Sequence, residues 1–210
     1  PALDSPQTLV LVFGASESDS APLTQLQLQY PHSFLMGCST AGEIFGNEVF
    51  DGTLSVAVLQ FEHTSLRRAQ AMVMDSADSL AAGIKIGQEL LQDDLKAVLV
   101  FSDGTHVNGS RLIEGLNQSI PSHVVVTGGL AGDGTRFQRT WVLDQGIPRE
   151  GLVTAVGLYG DRVKVAHGSK GGWDFFGPER VITRSNEHVL LELDNRPALD
   201  LYKTYLGEKA

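Results

Sequence analysis

The chain has 210 residues, a single cysteine and a formal net charge of −9, with 42% apolar and 20% charged residues. That composition is globular, and the length is ample for a hydrophobic core without covalent staples. It excludes an internal disulfide framework and a Cys-x-x-Cys zinc site; the acidic balance argues against a nucleic-acid partner, and no apolar run reaches the ~18 residues of a membrane helix.

Leu9–Phe13 is a short continuous apolar run, as in a buried central strand. Ser20 can cap a helix with Pro22 in its first turn and Leu23, Leu26 and Tyr30 on one face, stopped by Pro31. Phe34–Met36 reads as a second short strand. Thr53–Phe61 alternates, with Leu54, Val56, Val58 and Phe61 as the expected buried set, and a further strand follows. Asp75 or Ser76 can cap a helix whose expected stripe is Leu80, Ile84, Gly87 and Leu91. Ala97–Phe101 is a second buried run. Asn108 caps the next expected helix, with Leu112, Leu116 and Ile120 inward and Pro121 after it. Val124–Val126, Arg139–Leu143, Leu152–Tyr159 and Arg162–His167 read as strands, with Gly160-Asp161 as a tight hairpin turn between the last two. Trp173 follows a Gly-rich stretch and reads as a pocket cover or a core plug. Val181–Arg184 and a segment from Val189 read as strands before a final helix, Ala198–Leu206, with Leu199, Tyr202 and Leu206 as its anchors and Gly207 at its end.

The order of these elements repeats. Strand, helix, short strand, small-residue loop and a Gly-led strand occur twice, at an offset of roughly 88 to 100 residues. The pseudo-repeats span about 8–74 and 96–171, and the helix after Asp75 joins them. Each half reads as β-α-β-β-β, with helix on one sheet face only. The expected fold class is therefore α+β: internally duplicated halves forming layered mixed sheets flanked by helices, with pseudo-twofold symmetry.

Three loops could carry chemistry. Gly37-Cys38-Ser39-Thr40-Ala41-Gly42-Glu43 offers close backbone approach, an anion-binding nest, two hydroxyls and a carboxylate. It lacks the Gly-Lys-Ser/Thr ending of a phosphate loop and the Gly-x-Ser-x-Gly of a hydrolase elbow. Its matching loop, Gly128-Gly129-Leu130-Ala131-Gly132-Asp133, places a carboxylate among glycines, which also suits a plain turn. Between them, Ser102-Asp103-Gly104 leads through His106 to Asn108, at the end of a buried strand and the start of a helix. Cys38 or Ser39 as a nucleophile would need a histidine in reach and, for the thiol, a lowered pKa. The six histidines show no helical metal-pair spacing.

Taken together, Gly37-Cys-Ser-Thr-Ala-Gly-Glu43, Ser102-Asp-Gly104 with Asn108-Gly109, and Gly128-Gly-Leu-Ala-Gly-Asp133 resemble the N-terminal module of FIST domains. Gly172-Trp173, Glu192-Leu-Asp194 and Pro197-Ala-Leu199 to Tyr202 continue the resemblance, which spans about Leu9 to Gly207. It implies a sensory, ligand-binding part of a signal-transduction protein, with amino acids among the ligands proposed. One bacterial subset of the family binds haem, senses nitric oxide and works with histidine kinases or cyclic-di-GMP enzymes. It also implies a module over residues 1–197, with 198–210 a linker helix or the start of a truncated C-terminal module.

The expected function is a non-enzymatic sensor, cytoplasmic because no charged-then-apolar leader precedes the first strand. It binds a small amino-acid-like molecule in a cleft between the duplicated loops. The candidate ligand-binding residues are Cys38, Ser39, Thr40, Gly42, Glu43, Asp103, Asn108, Gly128, Gly129, Gly132 and Asp133. Backbone N–H groups would hold an anionic group, and Asp103, Asp133 and Glu43 a cationic one, with Thr40 and Asn108 orienting it. The alternatives are a haem-binding nitric oxide sensor, with one axial histidine and an apolar slot, and a hydrolase or transferase using Cys38 or Ser39. The expected partners are a C-terminal module of the same protein and one of those signalling enzymes, with no membrane.

Overall fold

A computed structural model describes residues 2–17, 20–172, 174–175, 177–186 and 189–207. The readings made for Trp173 and for the side-chain cap at Ser20 lie outside what it describes. The chain forms two compact units, residues 1–167 and 168–210.

The first unit opens with β1 (Thr8–Ala15), α1 (Ser20–Gln29) and β2 (Phe34–Thr40). A small hairpin, β3 (Glu43–Phe45) and β4 (Glu48–Phe50), precedes β5 (Leu54–Gln60) and β6 (Ser65–Met72). A short 3-10 turn at Ser76–Asp78, capped by Asp75, leads into α2 (Ser79–Leu90). The second half follows in the same order: β7 (Leu95–Ser102), α3 (Gly109–Ser119), β8 (Val125–Leu130), the hairpin β9 (Val142–Asp144) and β10 (Ile147–Arg149), and β11 (Leu152–Tyr159).

Two sheets result, ordered β10-β9-β2-β1-β5 and β6-β11-β7-β8. In each, the helix crossover makes the first two strands of a half parallel, β1 with β2 and β7 with β8. The third strand, β5 or β11, then returns antiparallel. Both parallel pairs close on a glycine at the same register. A Cβ on Gly37 would lie 1.8 Å from the Val12 carbonyl oxygen, and one on Gly128 would lie 1.7 Å from that of Val100. The halves also exchange strands. β9 of the second half extends the first sheet on β2, and β6 of the first half extends the second sheet on β11.

Strand alternation gives each sheet two apolar faces, so the sheets pack face to face. Leu9, Met36 and Val142 from one sheet meet Ala97, Phe101 and Val156 from the other, and Phe13 meets Phe101 edge-on at 5.4 Å. On the outer face of the first sheet, α1 buries Leu23 against Val10, Val12, Trp141 and Leu143. On the outer face of the second, α2 and α3 bury Ile86, Leu90, Leu112 and Leu116 against Val98, Val100 and Val153. The order is helix, sheet, sheet, helix pair: an α+β fold of layered mixed sheets flanked by helices.

Four local expectations are corrected. Arg162–His167 is not a strand, because β6 and β11 on one side and β7 and β11 on the other leave β11 no free edge; Val163 and Val165 pack into the inter-sheet core instead. The buried face of α2 is Ala82, Gly83, Ile86, Gly87 and Leu90, while Leu80 and Ile84 are half-buried and Leu91 is exposed. The helix is turned because Gly83 must face α3: a Cβ there would lie 2.2 Å from the Leu112 carbonyl oxygen. Val56 is exposed, since β5 is an edge strand.

The fourth correction belongs to the second unit. It comprises β12 (Ile182–Asn186), β13 (Val189–Leu193), β14 (Arg196–Pro197) and α4 (Ala198–Leu206). Asp194 and Asn195, both with left-handed φ, make the turn into β14. Arg180 pairs with Asp194 at 2.9 Å and donates to Tyr205. The inward residues of α4 are Ala198 and Leu201, whereas Leu199, Tyr202 and Leu206 are exposed.

Candidate functional site

Three buried carboxylates stand at the loops singled out in the sequence, and each fastens a loop to the body. Glu43 follows the end of β2 and is 2% exposed. Its Oε1 accepts from Thr40 Oγ1 at 2.7 Å, and its Oε2 from the Thr53 N–H at 2.9 Å and Thr53 Oγ1 at 3.0 Å. That clamp closes the base of the β3–β4 hairpin.

Asp103, at the end of β7, is fully buried. Its Oδ1 accepts from the N–H groups of Thr105 and His106, at 2.8 and 2.7 Å, and lies 3.1 Å from His106 Nδ1. Its Oδ2 accepts from Thr140 Oγ1 at 2.9 Å and from the Gly151 N–H at 3.1 Å. Burial pushes its pKa up, but the hydrogen bonds from His106, Thr105, Gly151 and Thr140 outweigh that and hold it below the ordinary carboxylate range.

Asp133 accepts from the N–H groups of Phe137 at 3.0 Å, Gln138 at 2.7 Å and Arg139 at 3.0 Å. The bonds from Arg139 and Gln138 lower its pKa despite some desolvation. Asp133 and Asp103 together pin the two ends of the loop that runs from β8 to β9.

The two matching loops touch. Ser39 is fully buried; its N–H donates to the Trp141 carbonyl, its Oγ accepts from the Trp141 N–H, and its carbonyl accepts from the Gly132 N–H at 2.9 Å. Cys38 beside it is buried in the inter-sheet core, and burial pushes its thiol up to about 12, the reverse of what activates a nucleophile. Asn108 caps α3 by accepting from the Arg111 N–H at 3.2 Å, and its own N–H donates to Ser79 Oγ.

These clamps leave a cavity of about 550 Å³ at the C-terminal ends of β1 and β2, the customary ligand position beside parallel strands. Thr40, Gly42 and Glu43 form one wall, with Asp51 and Gly52 from the β4–β5 turn. Gly134, Thr135 and Arg136 of the pinned loop form the other. Arg136 donates to Ser16 Oγ at 2.7 Å, and its Nε lies 3.8 Å from a Glu17 carboxylate oxygen. Gly128 and Gly129 line a different space, an apolar groove of about 340 Å³ between β8 and α3. So the structure brings Thr40, Gly42 and Glu43 to one cavity and Gly128 and Gly129 to another. Cys38, Ser39, Asp103, Asn108, Gly132 and Asp133 hold the framework between them.

Arg136, Asp51 and Glu17 are the charged cavity residues that sequence reading passed over. For Asp51 and Arg136 the local signal is charge beside a glycine turn, in Phe50-Asp51-Gly52 and Gly134-Thr135-Arg136; Glu17, in Ser16-Glu17-Ser18, carries no such signal.

The fold is thus a duplicated, helix-flanked double sheet with a polar cavity at its strand ends, bordered by these loops. The family model described as the FIST N domain matches residues 8–196, so the chain belongs to the FIST N family, whose domains are sensory parts of signal-transduction proteins. No curated protein and no solved structure matches the chain. No helix among the described residues is long and apolar enough to cross a membrane, and no cluster of metal-ligating side chains occurs among them.

Proposed function

We propose that this domain is a non-enzymatic sensor whose ligand is a small amino-acid-like molecule held in the cavity at the ends of β1 and β2. The observation that carries this reading is the mixed charge of the walls: the Arg136 guanidinium with Asp51 and Glu17 around one polar cavity. A guanidinium suits a carboxylate, and the Asp51 and Glu17 carboxylates suit an ammonium group. The Thr40 hydroxyl donates to Glu43 and leaves its lone pairs for a ligand donor. Glu43, Asp103 and Asp133 act one step back, because their oxygens are taken by the protein's own donors. Occupation of this cavity would be passed to a downstream signalling enzyme, a histidine kinase or a cyclic-di-GMP enzyme by the family resemblance.

The haem alternative would use the apolar groove, which has His167 among its lining residues. None of those lining residues is a lysine or arginine that could meet the propionates, so the groove does not suit a porphyrin dicarboxylate.

The test is a thermal-shift screen against the amino acids, followed by calorimetric titration of the hit. A ligand at 100 times its Kd stabilises the folded domain by about 2.7 kcal/mol. Arg136→Gln is expected to weaken the hit about 10- to 100-fold, the worth of a charge-assisted hydrogen bond. A hit that binds Arg136→Gln as tightly as the parent, or no hit in the panel, overturns the reading.

A further inference from the structure

The internal duplication exposes one unmatched place. In the first sheet, β2 is covered by β9, with Cys38 opposite Val142. The Ser39 N–H donates to the Trp141 carbonyl at 2.9 Å. Trp141 and Leu143 point to the helix side and fill the space between β2 and α1, packing with Val12, Leu23 and Leu35. Trp141 is 3% exposed and Leu143 is fully buried.

The corresponding strand of the second sheet is β8, and it ends the sheet. By register, Leu35, Gly37, Cys38 and Ser39 correspond to Val126, Gly128, Gly129 and Leu130, and Val12 to Val100. Gly128, Gly129 and Leu130 are exposed. The apolar groove lies there, lined by Val100, Leu112, Ile113, Val126, Gly128 and Leu130. Its walls are thus the counterparts of the residues that surround Trp141 and Leu143 in the first sheet. The hairpin of the first half cannot fill it: only Ala41 and Gly42 separate β2 from β3, whereas the segment from β8 to β9 runs from 131 to 141.

We propose that β8 is a docking edge for an extended segment of a partner polypeptide. The segment runs antiparallel to β8, as β9 runs to β2. It carries two bulky apolar side chains two residues apart, an aromatic followed by an aliphatic, which enter the groove beside α3. Main-chain bonds to the edge supply affinity, and the groove selects alternate side chains, the logic of strand addition. The surface is separate from the cavity that holds Arg136, so either reading stands or falls without the other.

The chain supplies its own probe. A fluorescently labelled synthetic peptide of residues 139–145, with Trp141, Val142 and Leu143 in order, is titrated into the whole chain by anisotropy, and amide shifts are mapped by NMR. Saturable binding with shifts at Gly128–Leu130 is expected. Replacing Trp141→Ala in the peptide is expected to weaken binding about tenfold or more, and so is Leu130→Pro in the protein, an edge position where proline is tolerated. Ile113→Trp, which fills the groove from α3 and leaves the backbone edge intact, tests the same point by a second route and is expected to weaken binding by a similar factor. Absence of saturable binding, equal binding of a scrambled peptide, or shifts centred on Cys38 and Ser39 would overturn the proposal.

Discussion

Asp103 is a fully buried carboxylate that stays ionised because five N–H and O–H groups of the protein converge on it. Its folded pKa is depressed below the free value of ~3.9. The stability it contributes is therefore complete above that free value and is lost as pH falls through the folded pKa. Asp103→Asn presents an amide N–H₂ to donors such as Gly151 N–H and should cost about 2–4 kcal/mol at pH 7. In urea titrations, the gap between parent and variant should narrow below pH ~4. A gap that is flat with pH would show that Asp103 is not held ionised. The sequence made this residue visible but assigned it a ligand. A carboxylate between a strand and a Gly turn looks the same whether it faces solvent or the protein's own N–H groups, and Thr140 and Gly151, which decide the matter, lie far along the chain.

At the scale of elements, helix and strand positions follow closely from periodicity and caps. Asn108 caps α3 as expected and β11 spans Leu152–Tyr159 as the apolar run indicates, whereas Asp75 caps the 3-10 turn before α2 and the N-cap of α2 itself is Asp78, with no side-chain cap bond. What periodicity missed is which face of α2 turns inward. A moment weighs bulky apolar residues, whereas the α2–α3 crossing is set by glycine. A Cβ on Gly115 would lie 2.2 Å from the Leu80 carbonyl oxygen, and one on Gly83 would meet the facing backbone as closely. Gly115→Ala gains about 1 kcal/mol of helix propensity and forces two backbones apart. The net result should be a loss of about 1–3 kcal/mol by chemical denaturation; an unchanged or raised midpoint would refute the close crossing. The strand expected at Arg162–His167 failed for a similar reason, since pairing depends on neighbours that sequence does not display.

The whole molecule keeps its duplication most faithfully where backbone meets backbone. Gly37 and Gly128 occupy one register in the two parallel pairs and would collide with equivalent carbonyls. Gly37→Ala and Gly128→Ala should therefore each cost about 3 kcal/mol or more. The second should cost somewhat more, because Gly128 also has φ +150°. Thermal melts of the pair check this; a mild effect at one site would mean that the halves have diverged there. The repeat itself was legible in the order of loops. Its asymmetry was not, because the two loops share composition while Thr40, Gly42 and Glu43 line the charged cavity and Gly128 and Gly129 line the apolar groove.

The strand exchange between halves has a kinetic consequence. β2 cannot be completed until β9 arrives from about a hundred residues away, and β11 is laid against β6 across a similar interval. Loop-closure entropy is spent before either sheet is whole. Each half completes its sheet with a strand of the other, so refolding followed by stopped-flow fluorescence is expected to fall with the slow, high-contact-order β-rich domains, in the range of about milliseconds to seconds. During synthesis, β1, β2 and β5 emerge with the β2 edge bare until the second half supplies β9.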